Sequence, residues 1–287
     1  MRQVIRIGVP PQTFVRFDVL SLSEVKVAIK YTGSKKWLVK SLRDMNEVYE
    51  PFAGSAIVSF RKAKACHLND TTAPLIEMYR KLKTNREGLI QDIQREELFI
   101  KTSGDPAEAY YHARARFNQS GMTDPVLFCI ILYLGFNGLW RVGPNGCSVP
   151  YGGDKRRFKP DSLRSIPIDK IQTLTNQSWE SAPVPNDQCV IYADPPYATT
   201  FTKYTRRGWL QSDNLTLFDW LARKQNPVLV SCLNTPENQE ALRARDFDFV
   251  PLAKKYRNGV GSVTKSELLG FNGKATPYVV FSSILKK

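Results

Sequence analysis

Histidine is almost missing from the 287 residues: His67 and His112 are the whole supply. Cysteine adds little to it. Cys66, Cys129, Cys147, Cys189 and Cys232 are scattered, and no C-x-x-C pair occurs. A structural zinc site is therefore not expected. Five is also an odd number for a disulfide frame, so the thiols are read as reduced, as in a cytosolic protein. Long apolar runs are absent too. The longest, Val126 to Leu134, is too short to span a bilayer and reads as a core helix. Met1 to Pro11 lacks the apolar core of a signal peptide. No G-x-G-x-x-G string is present, which disfavours a nicotinamide dinucleotide. Acid is scarce: 41 Lys and Arg stand against 27 Asp and Glu, a net charge of +14. Such a balance suggests a polyanionic partner, most simply nucleic acid; a basic surface kept for solubility is the alternative. Apolar residues make up 42% of the chain, enough for a substantial core.

The most informative stretch that is present is Val190-Ile191-Tyr192-Ala193-Asp194-Pro195-Pro196-Tyr197. A short apolar run bounded by turn residues reads as a buried strand. Pro195 and Pro196 cannot donate a ladder hydrogen bond, so pairing stops there. In an open α/β sheet, ligands bind in the crevice beyond the carboxyl ends of the strands. Asp194 is expected at that crevice, with a ring at Tyr197. A planar base could stack on Tyr197 while Asp194 and the Pro195 carbonyl each accept one hydrogen of its exocyclic amine. Two fixed acceptors would draw that nitrogen toward a tetrahedral shape and free its lone pair for attack. The plainer alternative is a proline turn capping a strand.

The rest of the chain supplies a frame for that crevice. Residues 1–27 read as an extension or extra strand. Lys30-Tyr31-Thr32-Gly33-Ser34-Lys35 is a basic loop with a tight turn at Gly33, and Lys35 to Arg43 has helical spacing. Such a loop can hold an anion or simply cap a helix. Asn46 to Glu50 reads as a strand running into Pro51-Phe52-Ala53-Gly54-Ser55-Ala56 and a helix from Ile57 to Lys64. Small residues in such a turn let the backbone approach a nucleotide. Ala65 to Asn69 is a second strand ending at Asp70, a position that commonly binds ribose hydroxyls or caps the next helix. Amphipathic helix follows from Leu75 to Asn118, with a turn at Ser103-Gly104-Asp105-Pro106. Later segments alternate: helix 214–223, strand 228–232, helix 235–244, then strands 247–252, 267–271 and 278–282. This order predicts an α/β fold with a mostly parallel sheet and helices on both faces.

Between the two halves of that sheet lies a basic and aromatic segment. Phe136-Asn137-Gly138-Leu139-Trp140-Arg141 precedes a hairpin-like turn at Gly143-Pro144-Asn145-Gly146. Val149-Pro150-Tyr151-Gly152-Gly153 leads into Lys155, Arg156, Arg157 and Lys159. A β-ribbon carrying Arg141 with such flanks fits a nucleic-acid groove, with a solvated loop as the alternative.

Taken together, from about Lys30 to the last strand, the chain resembles the Dam-type, D12-class DNA adenine-N6 methyltransferases. Asp194 to Tyr197 looks like their catalytic motif, and Glu50-Pro51-Phe52-Ala53-Gly54 like their S-adenosylmethionine loop. Tyr31-x-Gly33-x-Lys35 is similar to their N-terminal element. Segments 136–141 and 149–152 resemble their target-recognition hairpin, and Phe201-Thr202-x-Tyr204 the loop after the catalytic motif. The resemblance implies a Rossmann-like methyltransferase sheet with an inserted helical and β-hairpin target-recognition domain. Its bounds are 28–84 and 171–287 for the catalytic domain and 85–170 for the insert. It implies that Tyr31, Lys35, Asp70 and Asp194 bind the cofactor and that Asp194, Pro195, Pro196 and Tyr197 hold a flipped adenine. Lys30 and Arg141 fall at guanine-contacting positions, and Leu139 and Pro150 at other base-contacting ones, which points to GATC in double-stranded DNA.

Several positions depart from the family pattern. Ala56 replaces a glycine of the cofactor loop, where it is expected to crowd the methionine end. Ser34 replaces a glycine, Tyr31 a tryptophan, and Gly153-Asp154 an Arg-Tyr pair. Gln177-Ser178-Trp179 stands for the usual G-D-F, with Trp179 free to stack on the cofactor adenine. The implied protein is a metal-free monomer in the cytoplasm of a bacterium, encoded by the cell or by a phage. A degenerate DNA-binding protein on the same fold, or an RNA adenine methyltransferase, are the alternatives.

Overall fold

Alternation in the strands decides the architecture, because neighbouring residues go to opposite faces. A computed structural model describes residue 29 and residues 31–197, 208–258 and 261–281, of which 253–265 are described as backbone alone. The chain runs β1 (Met45–Glu50), α1 (Ile57–Lys62), β2 (Ala63–Asn69), α2 (Ala73–Thr102), α3 (Pro106–Gln119) and α4 (Pro125–Leu134). Next come β3 (Val142–Gly143), β4 (Gly146–Cys147), α5 (Pro160–Arg164), β5 (Ile171–Thr175) and β6 (Val190–Ala193). It closes with α6 (Gln211–Ala222), β7 (Val228–Leu233), α7 (Pro236–Arg243), β8 (Asp248–Asn258) and β9 (Gly261–Phe271).

Seven strands form one sheet in the order β5-β2-β1-β6-β7-β9-β8. The first five are parallel, and β9 is antiparallel to both β7 and β8. Val48, Val190, Tyr192, Leu229 and Leu269 face one core, which also holds α1, α2, α3 and α4. Tyr49, Ile191, Ala193, Val230 and Leu268 face the other, covered by α6 and α7. The expected fold with helices on both faces is thus present. All five cysteines are buried and unpaired. Among the described residues no helix is long and apolar enough to cross a membrane.

Capping explains where the helices begin. Asp105 and Asp124 each accept two backbone N–H groups at the starts of α3 and α4, with a proline at the first turn. Inside the long α2, Asn85 leaves helical geometry at φ −155° and ψ 71°. Its side chain then accepts the Gly88 N–H at 3.0 Å, so α2 is two helices joined at a capped break.

Several expectations need correction. Lys35 to Arg43 forms turns and a single 3-10 turn at Val39–Ser41 instead of a helix. The reason is at its end: Leu42 adopts extended geometry and pairs with Val279. Val279 in turn makes only that isolated bridge, and Gly273–Tyr278 is 3-10 helix, so no strand spans 278–281. The strands expected at 247–252 and 267–271 are the inner ends of a hairpin whose arms have eleven residues each. Residues 1–27, Lys30, and Phe201, Thr202 and Tyr204 lie outside the described residues.

The helical insert and the short hairpin are locked by close backbone approach. Gly152 N–H donates to the Leu134 carbonyl at 2.8 Å, and Phe136 N–H to the Pro150 carbonyl at 2.9 Å. Asn118 works on the hairpin as a third strand would, donating to the Cys147 carbonyl at 3.1 Å and accepting its N–H at 2.8 Å. A Cβ at Gly135 would stand 2.2 Å from the Ile131 carbonyl oxygen and 2.7 Å from Val149. Gly135→Ala is therefore expected to cost about 2–3 kcal/mol through overpacking against backbone, read as a lower urea midpoint with an unchanged slope.

Candidate active site at the carboxyl edge of the sheet

β1 is the strand at which the order reverses, with β2 on one side and β6 on the other. The crevice outside such a switch point is the expected ligand site. A cleft of about 860 Å³, open solvent included, lies there. It is lined from three directions: Tyr31 to Lys35, Glu50 at the β1 tip with Phe52 to Ser55 in the turn after it, and Asp194 to Tyr197 after β6. Asp70 and Thr72 close the side toward β2.

The turn after β1 is shaped by two residues in left-handed geometry, Gly54 at φ 47° and Ala56 at φ 48°. The Tyr31 ring lies 3.6 Å from where a Cβ on Gly54 would sit. Asp70 stabilises the turn: one carboxylate oxygen accepts the Gly54 N–H and the other the Thr72 N–H, both at 2.9 Å. A carboxylate has about four acceptor positions, more than the turn contacts of Asp70 use, so the capping and ligand readings of Asp70 are compatible. Tyr79 donates its hydroxyl to the Gly54 carbonyl at 3.0 Å. Ala56, expected to crowd the cleft, does not line it; the residue is 1% exposed and sits in the core beside α1.

Asn69 is a site residue that sequence reasoning missed. It is fully buried. Its amide donates to the carbonyls of Pro51 and Gln177, both at 3.0 Å, and its oxygen accepts from the Thr175 hydroxyl at 2.8 Å. One side chain thus ties the ends of β1, β2 and β5 together. Pro51 enters the site only through that carbonyl. Trp179 does not line the cleft. It is buried on the other face, edge-on to Trp220 with centroids 5.6 Å apart and 6.2 Å from the Phe52 ring. Phe52 stands between it and the cleft wall.

Charge in the cleft centres on Lys35. Its ammonium lies 2.7 Å from an Asp194 carboxylate oxygen and 3.8 Å from a Glu267 oxygen. The same group stands over the Tyr197 ring, 4.8 Å from its centroid. Tyr197 donates its hydroxyl to Glu267 at 2.7 Å. Burial, with Asp194 and Glu267 nearby, pushes the Tyr197 phenol well up, so it stays protonated. Glu267 was read only as the start of a strand; an acid opening an otherwise apolar run was its one available signal.

At the base of the cleft, Glu50 is fully buried and accepts the Ser59 N–H at 2.9 Å, which caps α1 from the preceding strand. Burial pushes its carboxyl up from 4.5 to about 8, so it is mostly neutral at neutral pH. Asp70 is raised for the same reason, opposed by hydrogen bonds to the Gly54 and Thr72 amides and to the Thr72 side chain.

The basic segment adjoins the cleft. Thr32 donates its hydroxyl to the Gly138 carbonyl at 3.2 Å and accepts the Trp140 N–H at 3.3 Å. Asn137, at φ 55°, accepts from the Arg156 guanidinium at 2.7 Å. Arg141, Pro150, Lys155 and Arg157 are exposed, and Leu139 is half-buried. Arg157 donates to the Asp154 and Arg156 carbonyls. An isolated bridge between Gly135 and Tyr151 brings the two arms of this segment side by side.

Residues 31–257 match the model of the D12 class N6 adenine-specific DNA methyltransferases. The chain is 27% identical over 267 residues to the Type II methyltransferase M1.LlaDCHI of Lactococcus lactis subsp. cremoris, covering 83% of this chain and 91% of that protein. It is 28% identical to the retron Ec67 DNA adenine methylase of Escherichia coli, covering 85% and 90%. With the DNA adenine methylase of Escherichia coli strain K12 the identity is 27%, covering 77% and 84%. Among solved structures, a precorrin-6y C5,15-methyltransferase from Geobacter metallireducens GS-15 aligns at a TM-score of 0.35 and 8% identity, over 85% of this chain and 96% of that one, too loosely to carry weight.

The Glu50 shift has a consequence for stability. A carboxyl raised in the folded state holds a proton that the unfolded chain releases. Its contribution is full below the unfolded value of 4.5 and is lost as pH climbs through about 8. Glu50→Gln cannot titrate, so the decline in unfolding free energy across that window is expected to flatten. Urea titrations of both proteins across the window read this directly.

Proposed function

Because the chain belongs to the D12 class N6 adenine-specific DNA methyltransferases, we propose that its cleft methylates N6 of an adenine flipped out of double-stranded DNA, within GATC. The observation that carries this reading is the meeting of Asp194 and Tyr197 with the Gly54 turn and Asp70 in one cleft. A base and a nucleoside cofactor then share one space.

S-adenosylmethionine, the cofactor we propose, supplies an activated methyl group when bound. The residues present fit it. Gly54 leaves room that a side chain would fill beneath Tyr31, and Asp70 offers unused lone pairs to hydroxyls. Tyr31, Gly33, Lys35, Phe52, Ala53, Gly54 and Asp70 would hold it, with Glu50 and Pro51 shaping the turn from below. Trp179 supports Phe52 from behind in this assignment.

On the base side, Tyr197 stacks on the adenine while Asp194 and the Pro195 carbonyl accept the two N6 hydrogens. Pro195 and Pro196 keep these acceptors on a stiff backbone. The Asp194 carboxylate stabilises the positive charge that develops on N6, and positioning supplies much of the rate. Flipping costs a few kcal/mol, offset by stacking and edge contacts in the cleft. The duplex lies along Asn137, Leu139, Arg141, Pro150, Lys155, Arg156 and Arg157, and the family resemblance adds Lys30 to the contacts. Residues 85–170 form the recognition lobe in this reading, beginning at the break at Asn85. One copy presents both the cleft and the basic segment, which supports a monomer as the working unit. The setting we assign is the cytoplasm of a bacterial cell.

Incubation with S-adenosylmethionine and unmethylated duplexes with and without GATC, followed by nucleoside mass spectrometry, tests the reading. N6-methyladenine in the GATC duplex alone is expected. Methyl in both duplexes would discard the site; methyl in RNA alone would move the substrate class. Asp194→Ala is expected to lower the single-turnover rate at least about a hundredfold while circular dichroism stays unchanged. Arg141→Ala should relax the preference at one guanine by about 1–3 kcal/mol, read across a panel of singly altered duplexes.

A further inference from the structure

Glu267 does not line the cleft, yet it is built into its wall from a distant part of the chain. It lies on β9 opposite Leu233 of β7 and Leu252 of β8. The residue is 2% exposed. A carboxylate so buried must be met by donors. The Tyr197 hydroxyl donates to it at 2.7 Å, and the Lys35 ammonium stands 3.8 Å from the same oxygen. That ammonium also lies 2.7 Å from Asp194 and 4.8 Å from the Tyr197 ring centroid.

The arrangement constrains what the two prolines leave free. Proline fixes backbone φ at 195 and 196, but the Tyr197 ring can still turn about its own side-chain bonds. Holding the hydroxyl at the far end of the ring fixes where the ring axis points, and the Lys35 ammonium over the ring face favours one rotation about that axis. The carboxylate of Asp194 can likewise rotate, and the Lys35 ammonium on one of its oxygens orients the other. Glu267 meets both constraints from behind: one directly, one through Lys35.

We propose that Glu267 is a positioning residue for methyl transfer, holding the Tyr197 ring and, through Lys35, the Asp194 carboxylate in the orientation that receives the base. This rests on the methyltransferase reading above.

The test compares full-length wild type, Glu267→Gln, Tyr197→Phe and the double variant on the duplex that wild type methylates. Gln keeps the shape and an acceptor for the hydroxyl but removes the charge near Lys35. Single-turnover rate, KM for duplex, melting temperature and the fluorescence of 2-aminopurine at the target position are measured. Glu267→Gln is expected to lose about tenfold or more in rate, with KM changed by less than about twofold. The bound 2-aminopurine signal should differ from wild type, because Lys35, which stands on Asp194 and over the Tyr197 ring, has lost its second carboxylate. The double variant should lose less than the product of the two single losses, since the hold on the hydroxyl and the charge beside Lys35 both run through Glu267. A folded Glu267→Gln with wild-type rate and fluorescence overturns the proposal, as do fully multiplicative losses. If Glu267→Gln melts early, Tyr197→Phe carries the test: it cuts the same hydrogen bond and leaves both charges in place, and a wild-type rate and fluorescence there overturn the proposal. Wild type that leaves adenine unmethylated overturns the methyltransferase reading, and this inference with it.

Discussion

One buried ammonium group stands where three segments far apart in sequence meet. Lys35 comes from the loop before β1, Asp194 from the end of β6 and Glu267 from β9. Taking charges out of water is expensive, and an ion pair in the interior persists only with good geometry and further hydrogen bonds. Removing one partner leaves the others uncompensated. The loop at 31–35 is therefore not an appendage to the sheet. Without its ammonium, Asp194 and Glu267 lose their shared cation, and so does the Tyr197 ring.

The same loop connects charge to recognition. Thr32 bonds to the turn at Gly138 and to Trp140, a step along the chain from Arg141. Three residues on, Lys35 reaches Asp194. The surface assigned to the duplex and the carboxylate assigned to the base are thus separated by a stretch of backbone with side-chain bonds at both ends. The recognition segment is itself stiff: Asn118 closes one edge of the hairpin, and the Gly135 and Gly152 backbones approach too closely to admit a side chain.

Much of this was legible in the sequence because local chemistry is explicit there. The apolar run ending at Asp194, the small-residue turn at 53–56 and the acid after β2 each named an element and its end. The helical spacing of Lys35 to Arg43 misled because Leu42 is claimed by a partner over two hundred positions away, Val279. Motif position points Trp179 to the cleft, but it lies in a turn beyond the end of β5 and packs into the opposite core against Trp220. Asn69 and Glu267 could not be found by pattern: a buried polar residue in a strand looks like any other until its partners are known. Ala56 shows the reverse case. A substitution that seemed to threaten the cleft puts its methyl group into the core instead.

The break in α2 carries a consequence for how such a chain can change over generations. In an unbroken helix, each inserted or deleted residue turns everything beyond it by about 100°. At Asn85 the register already stops and restarts under its own cap. A length change there is absorbed by a few dihedral angles and leaves the phase of both halves intact. The part of the molecule that we assign to reading sequence can therefore be exchanged or re-spaced without disturbing the part that we assign to chemistry.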